Sequence, residues 1–587
     1  MANVFDRGVL DLQNVVMRCC TFAAMWSQRR SRWIGSTALV VAIALSASCD
    51  DGGGSADSTD VGSAVTGTSD VATTAAPATT AAPATTAAPT TAAAPTTAMP
   101  TTVTPTTDAA PADPLSVATT AGDVAGGASA VDGVRNFLAI PYGEAPVGDR
   151  AFAPPEPRAA WDEPFDATAE GASCPQSTEG ITAQIVITPD PDPDCLTLSV
   201  WSPEDATDLP VMVWFHGGGF TAGSAHSQFY NGDDLAAEGV VVVNVNYRLG
   251  PQGYLATSQL REERAGAVGN WGLLDQQLAL EWVRDNAAAF GGDADNVTIF
   301  GESAGGFSVC GHLAAPSSAG LFQRAIIQSG GGCGRLTSER EALRSGRQFM
   351  RAIGCDDLEC LRATSDDELI TDEGFNAGLV SDGETINESA SALAELGEAS
   401  DVEVLIGSNA DEATLFTIGL EVADDAALRD LVANVTDDPD ALLALYPSGE
   451  FETPLARYQA ISTDVSFTCP ALEFASVWPG AYLYHYTWIS PQNPAGLGAT
   501  HGAEIAPLFS HPDGLALDIE PNALSDEHSE MLQRAWVDFA TSGNPGEGFA
   551  PYDDEATIAR IDDTIQAVDS IRGDRCGGVT DLSTLNR

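Results

Sequence analysis

Residues 297–305 read VTIFGESAG, a β-branched segment that runs directly into a Gly-Glu-Ser-Ala-Gly turn. Glycine on both sides of Ser303 permits a sharp turn that exposes the serine hydroxyl above the end of a strand. Small residues follow and favour a helix start, whose free amide groups would face developing negative charge. This pentapeptide alone is a weak signal. Its place between a predicted strand and a predicted helix indicates a nucleophilic serine.

Apolar runs on both sides of this segment predict the rest of a sheet. Continuous runs without alternation are typical of strands buried on both faces, and they occupy residues 211–215, 240–245 and 325–328. Helical spacing occupies residues 275–290 and 305–313. Strands that alternate with helices predict an α/β fold with a large, mostly parallel central sheet and helices on both faces.

A nucleophilic serine needs a base, and the chain has seven histidines. His501 follows a glycine-rich segment, precedes Gly502 and lies beyond the strand-like residues 481–488, as a base on a late loop should. We therefore predict His501 as the base. The other histidines lack that placement: His216, His226, His312, His485, His511 and His528.

The base needs a carboxylate that holds its tautomer. The strand-like residues 402–407 are followed by Ser-Asn-Ala-Asp-Glu, so Asp411 and Glu412 are equal candidates from spacing alone. Either one gives the order serine, acid, histidine that is typical of α/β-hydrolases.

An oxyanion hole is the third requirement. His216 and three glycines, Gly217 to Gly219, follow the predicted strand 211–215, which matches the HGGG type of loop. Glycine lets bare backbone amides approach a developing oxyanion. No Gly-Lys-Ser/Thr follows, which excludes a phosphate-binding P-loop.

Charge and cysteine spacing exclude other classes. The formal net charge is −57, with 83 acidic residues against 26 basic ones, and every basic residue is arginine. A nucleic-acid partner held by a basic surface is excluded, and binding to anionic membranes is disfavoured. No Cys-x-x-Cys pair appears, so we expect neither a metal nor a cofactor.

The N-terminal segment predicts export. Three arginines within residues 29–32 precede an apolar stretch over 33–45, and small residues lead to Cys49. This pattern predicts a signal peptide over residues 1–49, with Met25 a better start than Met1. Cys49 at the break resembles a bacterial lipidation site, although the usual leucine three residues earlier is absent. Simple secretion is the alternative, and both place the protein outside the cytoplasm.

Residues 50–113 consist mainly of Thr, Ala, Pro, Gly, Ser and Asp, and they predict a disordered stalk. The catalytic module is then residues 114–587. It contains an even number of cysteines, which suggests up to four disulfides in an exported chain: Cys174, Cys195, Cys310, Cys333, Cys355, Cys360, Cys469 and Cys576.

Motifs spread over nearly all of residues 130–560 give the chain a specific resemblance. They occupy residues 137–148, 194–201, 211–223, 246–250, 269–280, 290–305, 320–330, 501–505 and 536–545. In that order they resemble the type B carboxylesterase, or cholinesterase-like, family of α/β-hydrolases. The resemblance implies a serine hydrolase of small-molecule carboxylic esters that works through an acyl-enzyme, and the predicted signal peptide places it outside the cytoplasm.

The resemblance also assigns residues. It chooses Glu412 over Asp411 as the acid. It implies oxyanion amides at Gly218, Gly219 and Ala304. It suggests the disulfides Cys174–Cys195, Cys355–Cys360 and Cys469–Cys576, which leaves Cys310 and Cys333 as a further pair.

One departure bears on the substrate. In cholinesterases the first disulfide loop carries a tryptophan that holds a quaternary ammonium by cation–π contact. The loop from Cys174 to Cys195 contains no Trp, Tyr or Phe, so we expect kcat/KM to favour neutral short-chain or aryl esters over choline esters. Two rival functions are a non-catalytic surface adhesion protein and a hydrolase of amides, carbamates or thioesters.

Overall fold

The computed structural model describes residues 114–177, 188–370, 375, 377–491, 496–510, 525–552 and 557–583. The predicted signal peptide with Cys49, the predicted stalk and His511 lie outside the described residues.

A large twisted sheet organises the described part of the chain. Its strands, in chain order with those of two smaller sheets, are β1 Ser116–Ala118, β2 Asp123–Ala125, β3 Gly127–Ala128, β4 Val134–Pro141, β5 Phe165–Asp166, β6 Thr197–Pro203, β7 Leu209–Phe215, β8 Val241–Val245, β9 Gly292–Glu302, β10 Arg324–Gln328, β11 Thr337–Ser338, β12 Val380–Ser381, β13 Glu403–Asn409, β14 Tyr482–Tyr486, β15 Ile558–Ile561 and β16 Ile565–Val568. Within the described residues the large sheet has eleven strands in the order β16-β15-β14-β13-β10-β9-β7-β8-β6-β4-β3.

The centre of this sheet is parallel and its two ends are antiparallel. Pairing is parallel from β8 through β7, β9, β10, β13 and β14 to β15. The outer strands β3, β4, β6 and β16 pair antiparallel. The predicted α/β fold with a mostly parallel central sheet is confirmed. The antiparallel ends were not predicted, because their mixed polar and apolar sequences lack the continuous apolar runs of the buried centre.

Helices complete the fold. They are α1 Asp233–Ala237, α2 Gly250–Tyr254, α3 Ser258–Glu263, α4 Trp271–Asn286, α5 Ala304–Ala314, α6 Glu339–Ala352, α7 Leu358–Ala363, α8 Asp366–Leu369, α9 Ala390–Glu395, α10 Ala413–Phe416, α11 Asp425–Val432, α12 Pro439–Ala444, α13 Pro454–Thr463, α14 Cys469–Val477, α15 Ile505–Leu508, α16 Asp526–Ser542 and α17 Cys576–Leu582. None of the helices in the described ranges combines the length and the apolar character that a bilayer crossing requires.

Alternate residues of β7 show that both faces of the sheet are covered. Val213 and Phe215 pack in one apolar cluster with residues of α4 and α5. Met212 and Trp214 point to the other face, where they share a cluster with residues of α16. Because successive side chains of a strand point to opposite faces, each face needs its own layer of helices. The apolar run 211–215 therefore has no polar side.

The helix predicted over 275–290 begins earlier than expected. It runs from Trp271 to Asn286 and continues as a 3-10 turn over Ala287–Phe290. Its first turn contains Gly272, which is a poor helix former. The position needs glycine because a Cβ there would lie 2.6 Å from the carbonyl oxygen of Arg248. The start of α4 at Trp271 therefore depends on tertiary packing, and the apolar spacing used for the prediction placed it too late.

Four disulfides are present in the described residues: Cys174–Cys195, Cys310–Cys333, Cys355–Cys360 and Cys469–Cys576. These are the three pairs that the resemblance implied and the pair left over. Disulfides form and persist in oxidising compartments, which indicates an extracytoplasmic protein.

Candidate active site

Four parallel strands bring the candidate residues to one edge of the sheet. Strands β7, β9, β13 and β14 are parallel within the central block, so their carboxyl ends lie together. Ser303 follows β9, the glycine loop follows β7, and Glu412 follows β13. His501 lies on the loop beyond β14. Ligands of open α/β sheets bind at this carboxyl edge.

Ser303 occupies a sharp turn between β9 and α5. Its backbone angles are φ 56° and ψ −120°, a combination that residues with a side chain rarely adopt. The Ser303 amide donates a hydrogen bond to the Gln328 carbonyl at 2.9 Å, which holds the turn. A Cβ on Gly305 would lie 1.9 Å from the carbonyl oxygen of Phe215. Glycine is therefore required at that position so that α5 can approach β7 closely.

Glu412 and His501 are in direct contact. Glu412 Oε2 lies 2.5 Å from His501 Nδ1, and both side chains are buried. The other carboxylate oxygen of Glu412 accepts hydrogen bonds from Ser329 Oγ at 2.6 Å and from the Asn409 amide at 2.8 Å. A carboxylate partner at Nδ1 holds the proton on that nitrogen, which leaves Nε2 as the acceptor of the neutral ring.

His501 Nε2 faces a carboxylate that the sequence analysis did not single out. It lies 3.1 Å from Glu302 Oε1, on the residue before Ser303. Within the described part of the chain, Nε2 is buried and makes no hydrogen bond, including none to Ser303. Hydrogen bonds of catalytic groups are often long in free enzymes and tighten when substrate binds. When the ring is neutral, Nε2 is thus the acceptor nitrogen that no other described group occupies.

The pKa values of this pair are shifted strongly. Burial raises the pKa of Glu302 to about 8 against the opposing effect of His501. Burial lowers the pKa of His501, but the negative charges of Glu302 and Glu412 outweigh it and raise the pKa to about 9. The site therefore favours a proton on the His501–Glu302 pair at neutral pH.

A third buried carboxyl group lies behind the site. Glu504 has no exposed surface, and it accepts hydrogen bonds from Asn409 Nδ2 at 2.5 Å and from Gln328 Nε2 at 3.3 Å. Burial raises its pKa. The sequence analysis missed Glu302, Ser329 and Glu504 as site residues. All three lie within the motifs quoted above, but their spacing alone did not predict that they would surround the candidate site.

Two phenylalanine rings flank His501. The ring centroid of Phe416 lies 4.8 Å from the imidazole and that of Phe467 lies 5.1 Å from it. Phe467 belongs to a π-helical turn, Asp464–Thr468, between α13 and α14. Insertions of this kind are frequent at functional sites. Here the turn places an aromatic ring against the imidazole.

The predicted oxyanion amides stand beside the serine turn. A Cβ on Gly217 would lie 3.2 Å from Ser303 Cβ, so the glycine loop packs directly on the turn. Gly218 and Gly219 have φ values of 110° and 64°, which glycine tolerates. Among the described residues, none accepts a hydrogen bond from the N–H of Gly218, Gly219 or Ala304. Ala304 is the first residue of α5, where such amides are normally free.

Three other described histidines make contacts that support the surrounding fold. His216 Nδ1 lies 2.9 Å from the Gly217 carbonyl and the ring stacks on Tyr247, so it braces the glycine loop. His312 bonds to Ser318 and Gln276. His528 stacks on Trp488. Although His528 stands in a polar stretch of sequence, its ring is buried.

Another serine–histidine contact lies inside the sheet. Ser199 Oγ is 3.2 Å from His226 Nδ1, and Thr197 Oγ1 is 2.8 Å from the other ring nitrogen. Both ring nitrogens are thus engaged by hydroxyl groups, and burial lowers the pKa of His226 to about 4. Ser199 lies within β6 with no exposed surface, so a substrate cannot reach it.

No cluster of three or more metal-ligating side chains is found in the described ranges. The loop between Cys174 and Cys195, on which the expectation against choline esters depends, contains residues 178–187, which lie outside the described residues.

The model of the carboxylesterase family matches residues 113–576, which is most of the chain. The chain belongs to the carboxylesterase family. It is accordingly a carboxylic-ester hydrolase with the α/β-hydrolase fold.

Relatives of this carboxylesterase cover most of its length. It is 36% identical over 444 residues to the para-nitrobenzyl esterase of Bacillus subtilis, covering 70% of this chain and 87% of that protein. It is 36% identical over 467 residues to the cocaine esterase of Oryctolagus cuniculus, covering 72% of this chain and 85% of that protein. A solved PNB esterase structure superposes with a TM-score of 0.69 at 33% identity, covering 78% of this chain and 97% of that one. A thermophilic PNB esterase gives a TM-score of 0.69 at 32% identity, covering 80% and 100%.

Proposed function

We propose that this carboxylesterase cleaves small-molecule esters through an acyl-enzyme on Ser303, with His501 as the base and Glu412 as the acid. The observation that carries the proposal is the 2.5 Å contact between Glu412 Oε2 and His501 Nδ1 beside the strained turn of Ser303. The para-nitrobenzyl and cocaine esterases named above support an ester as the substrate.

Acylation needs a neutral imidazole. Ser303 Oγ attacks the ester carbonyl while His501 Nε2 accepts the hydroxyl proton. The ring then carries a positive charge, which the buried carboxylate of Glu412 stabilises from the Nδ1 side. The carbonyl oxygen becomes an oxyanion and meets the free amides of Gly218, Gly219 and Ala304. His501 then gives its proton to the alcohol that leaves.

Deacylation repeats the steps with water. His501 removes a proton from a water molecule, which attacks the acyl carbon of the ester on Ser303. The oxyanion forms at the same amides, and the collapse of this intermediate returns the proton to Ser303 Oγ and releases the acid. Every proton in the cycle passes through Nε2, so the environment of that nitrogen controls the pH dependence.

Glu302 should set the acid limb of the pH profile. Because the pKa of His501 is raised and the base must be neutral, we expect kcat/KM to fall with acid at a midpoint above the ordinary imidazole value of about 6.5. Glu302→Gln removes a negative charge that faces Nε2, so His501 loses its proton more easily. The midpoint should move to lower pH, measured with p-nitrophenyl acetate under kcat/KM conditions.

The control for this shift is Glu398→Gln, which neutralises an exposed glutamate and should leave the midpoint unchanged. A Glu302→Gln midpoint at or above the wild-type value would show that Glu302 does not govern the protonation of His501.

We also propose that the protein is anchored to the outside of the cell by lipid on Cys49. The four disulfides of the described domain support export, and the residues before Cys49 support cleavage there. Cys49→Ser should move esterase activity from the membrane fraction to the medium. A wild-type enzyme already found wholly in the medium, with an unmodified N-terminus by mass spectrometry, would favour simple secretion.

A further inference from the structure

We propose that Asp411 is a positioning residue, which holds the loop carrying His501 against the loop carrying Glu412. This inference rests on the proposed roles of Ser303, His501 and Glu412. Asp411 and Glu412 are adjacent and looked equivalent in the sequence, but they hold the histidine loop at two different points.

Asp411 makes a reciprocal pair of hydrogen bonds with Ala499. The Asp411 amide donates to the Ala499 carbonyl at 2.9 Å. The Ala499 amide donates to Asp411 Oδ2 at 3.0 Å. Ala499 is fully buried, so its amide would be costly to leave without a partner. Since Ala499 lies two residues before His501, this pair sets where the chain enters the catalytic histidine.

Gly498, the residue before Ala499, leaves room for the Asp411 carboxylate because it has no side chain. Gly498 has φ 72°, and a Cβ there would lie 2.2 Å from Asp411 Oδ2. The carboxylate therefore packs against the bare Cα of Gly498. Any other residue would push the carboxylate away from the Ala499 amide.

Further bonds join the same two loops on either side of Asp411. Thr414 Oγ1 donates to the Leu497 carbonyl at 2.7 Å and also contacts Thr500 Oγ1 at 2.8 Å. Asn409 Nδ2 donates to the Thr500 carbonyl at 2.8 Å. Between these contacts, Asp411 supplies a side-chain carboxylate that accepts from the backbone amide of Ala499. Removing this carboxylate should loosen the contact between the two loops at Ala499.

Charged groups from several elements surround the two loops, including Asp464, which pairs with Arg572 at 3.0 Å. Burial raises the pKa of Asp411, and the Ala499 amide and the charge of Arg572 oppose that shift, while Glu412 adds to it. His501 is faced by Glu302, Glu412 and, more weakly, Glu504. Arg572 donates to the carbonyl of Ala410, so its cation is held beside the acid loop.

The contact between the two loops matters because the reaction tolerates little displacement of His501 from Glu412. A shift of about 1 Å in a catalytic group can cost on the order of 100-fold in rate. If Ala499 is released, the imidazole can turn away from Glu412. Two effects should then appear together: slower chemistry, and a lower pKa of His501, because the Glu412 contact helps to raise that pKa.

The test compares Asp411→Ala with Asp411→Asn. We expect Asp411→Ala to lower kcat by about 10- to 100-fold with KM changed less than about twofold. Its acid limb should also move to lower pH. Asp411→Asn keeps an acceptor oxygen for the Ala499 amide and should restore most of kcat and of the wild-type midpoint. The assay is kcat and KM against pH with p-nitrophenyl acetate, on protein checked by circular dichroism and thermal melting.

A second variant and a matched control keep the test decisive. Gly498→Ala should give the same joint change in kcat and midpoint without altering Asp411, and it replaces Asp411→Ala if that protein does not fold. Asp438→Ala removes a carboxylate that accepts one backbone amide, from Ala441 at 3.0 Å, at the start of α12. It should leave the midpoint unchanged.

The outcomes separate this inference from the proposed function. A lower melting temperature with an unchanged pH midpoint in Asp411→Ala or Gly498→Ala would overturn the positioning role. Activity that survives Ser303→Ala or His501→Ala would instead overturn the proposed function itself.

Discussion

Ser303→Ala should abolish ester hydrolysis almost completely. Loss of the nucleophile in a serine–histidine–acid site costs about a million-fold in kcat, and we expect a fall on the order of 10,000-fold or more here. A fluorophosphonate probe should label the wild-type protein at Ser303 and leave Ser303→Ala unlabelled, as read by peptide mass spectrometry. The fold should be retained, because the Ser303 side chain makes no hydrogen bond within the described residues.

Ser199→Ala is the matched control, since Ser199 is a serine whose hydroxyl contacts a histidine ring but lies buried within β6. It lies inside the sheet, and its substitution should leave kcat/KM within about threefold once the protein has folded. Labelling that persists in Ser303→Ala, or that disappears in Ser199→Ala, would assign the nucleophile to a different serine. No labelling and no turnover in the wild type would favour a non-catalytic surface protein.

Glu412→Gln should have the second largest effect. Replacing the acid of such a site by its amide keeps the shape but can hold the histidine in the wrong tautomer, at a cost of about 10,000-fold in kcat. Here the loss should be about 1000- to 10,000-fold, because Glu412 Oε2 contacts Nδ1 at 2.5 Å and both side chains are buried. The measurement is kcat for p-nitrophenyl acetate at the wild-type pH optimum.

Asp411→Asn provides the comparison for Glu412→Gln, because it makes the same chemical change one residue earlier. Asp411 meets the backbone of Ala499 and not the imidazole, so its amide should lose less than about tenfold. Equal losses in the two variants, or a larger loss in Asp411→Asn, would contradict the assignment of Glu412.

Much of the fold was readable from local sequence, because buried parallel strands carry a strong pattern. Residues 211–215 have apolar side chains in succession, and the structure buries them against a layer of helices on each face. The Gly-Glu-Ser-Ala-Gly turn could also be predicted from the sequence, since close packing and a positive φ restrict which residues it can contain. The outer strands β4 and β6 were not predicted as strands. Both strands are paired on both sides and largely buried, but polar residues interrupt their apolar runs, so they lack the continuous pattern of the central strands.

The choice between Asp411 and Glu412 could not be made from spacing. Two adjacent carboxylates after one strand differ only in where the backbone points them, and that direction depends on contacts with residues 497–501, almost ninety positions away. The family resemblance favoured Glu412, and the structure brings Glu412 Oε2 to His501 Nδ1. The same fold turns Asp411 to Ala499.

The sequence by itself therefore determined the class of fold, the family and the ester-hydrolase chemistry, because each depends on residues close together in the chain or on ordered motifs. Only the tertiary structure decided which groups surround the imidazole. Glu302 faces Nε2 and Glu504 lies behind the site because three strand ends and a late loop converge on one edge of the sheet. Their charges act through space in a buried environment, where a carboxylate a few ångströms away shifts a pKa whatever its distance along the chain.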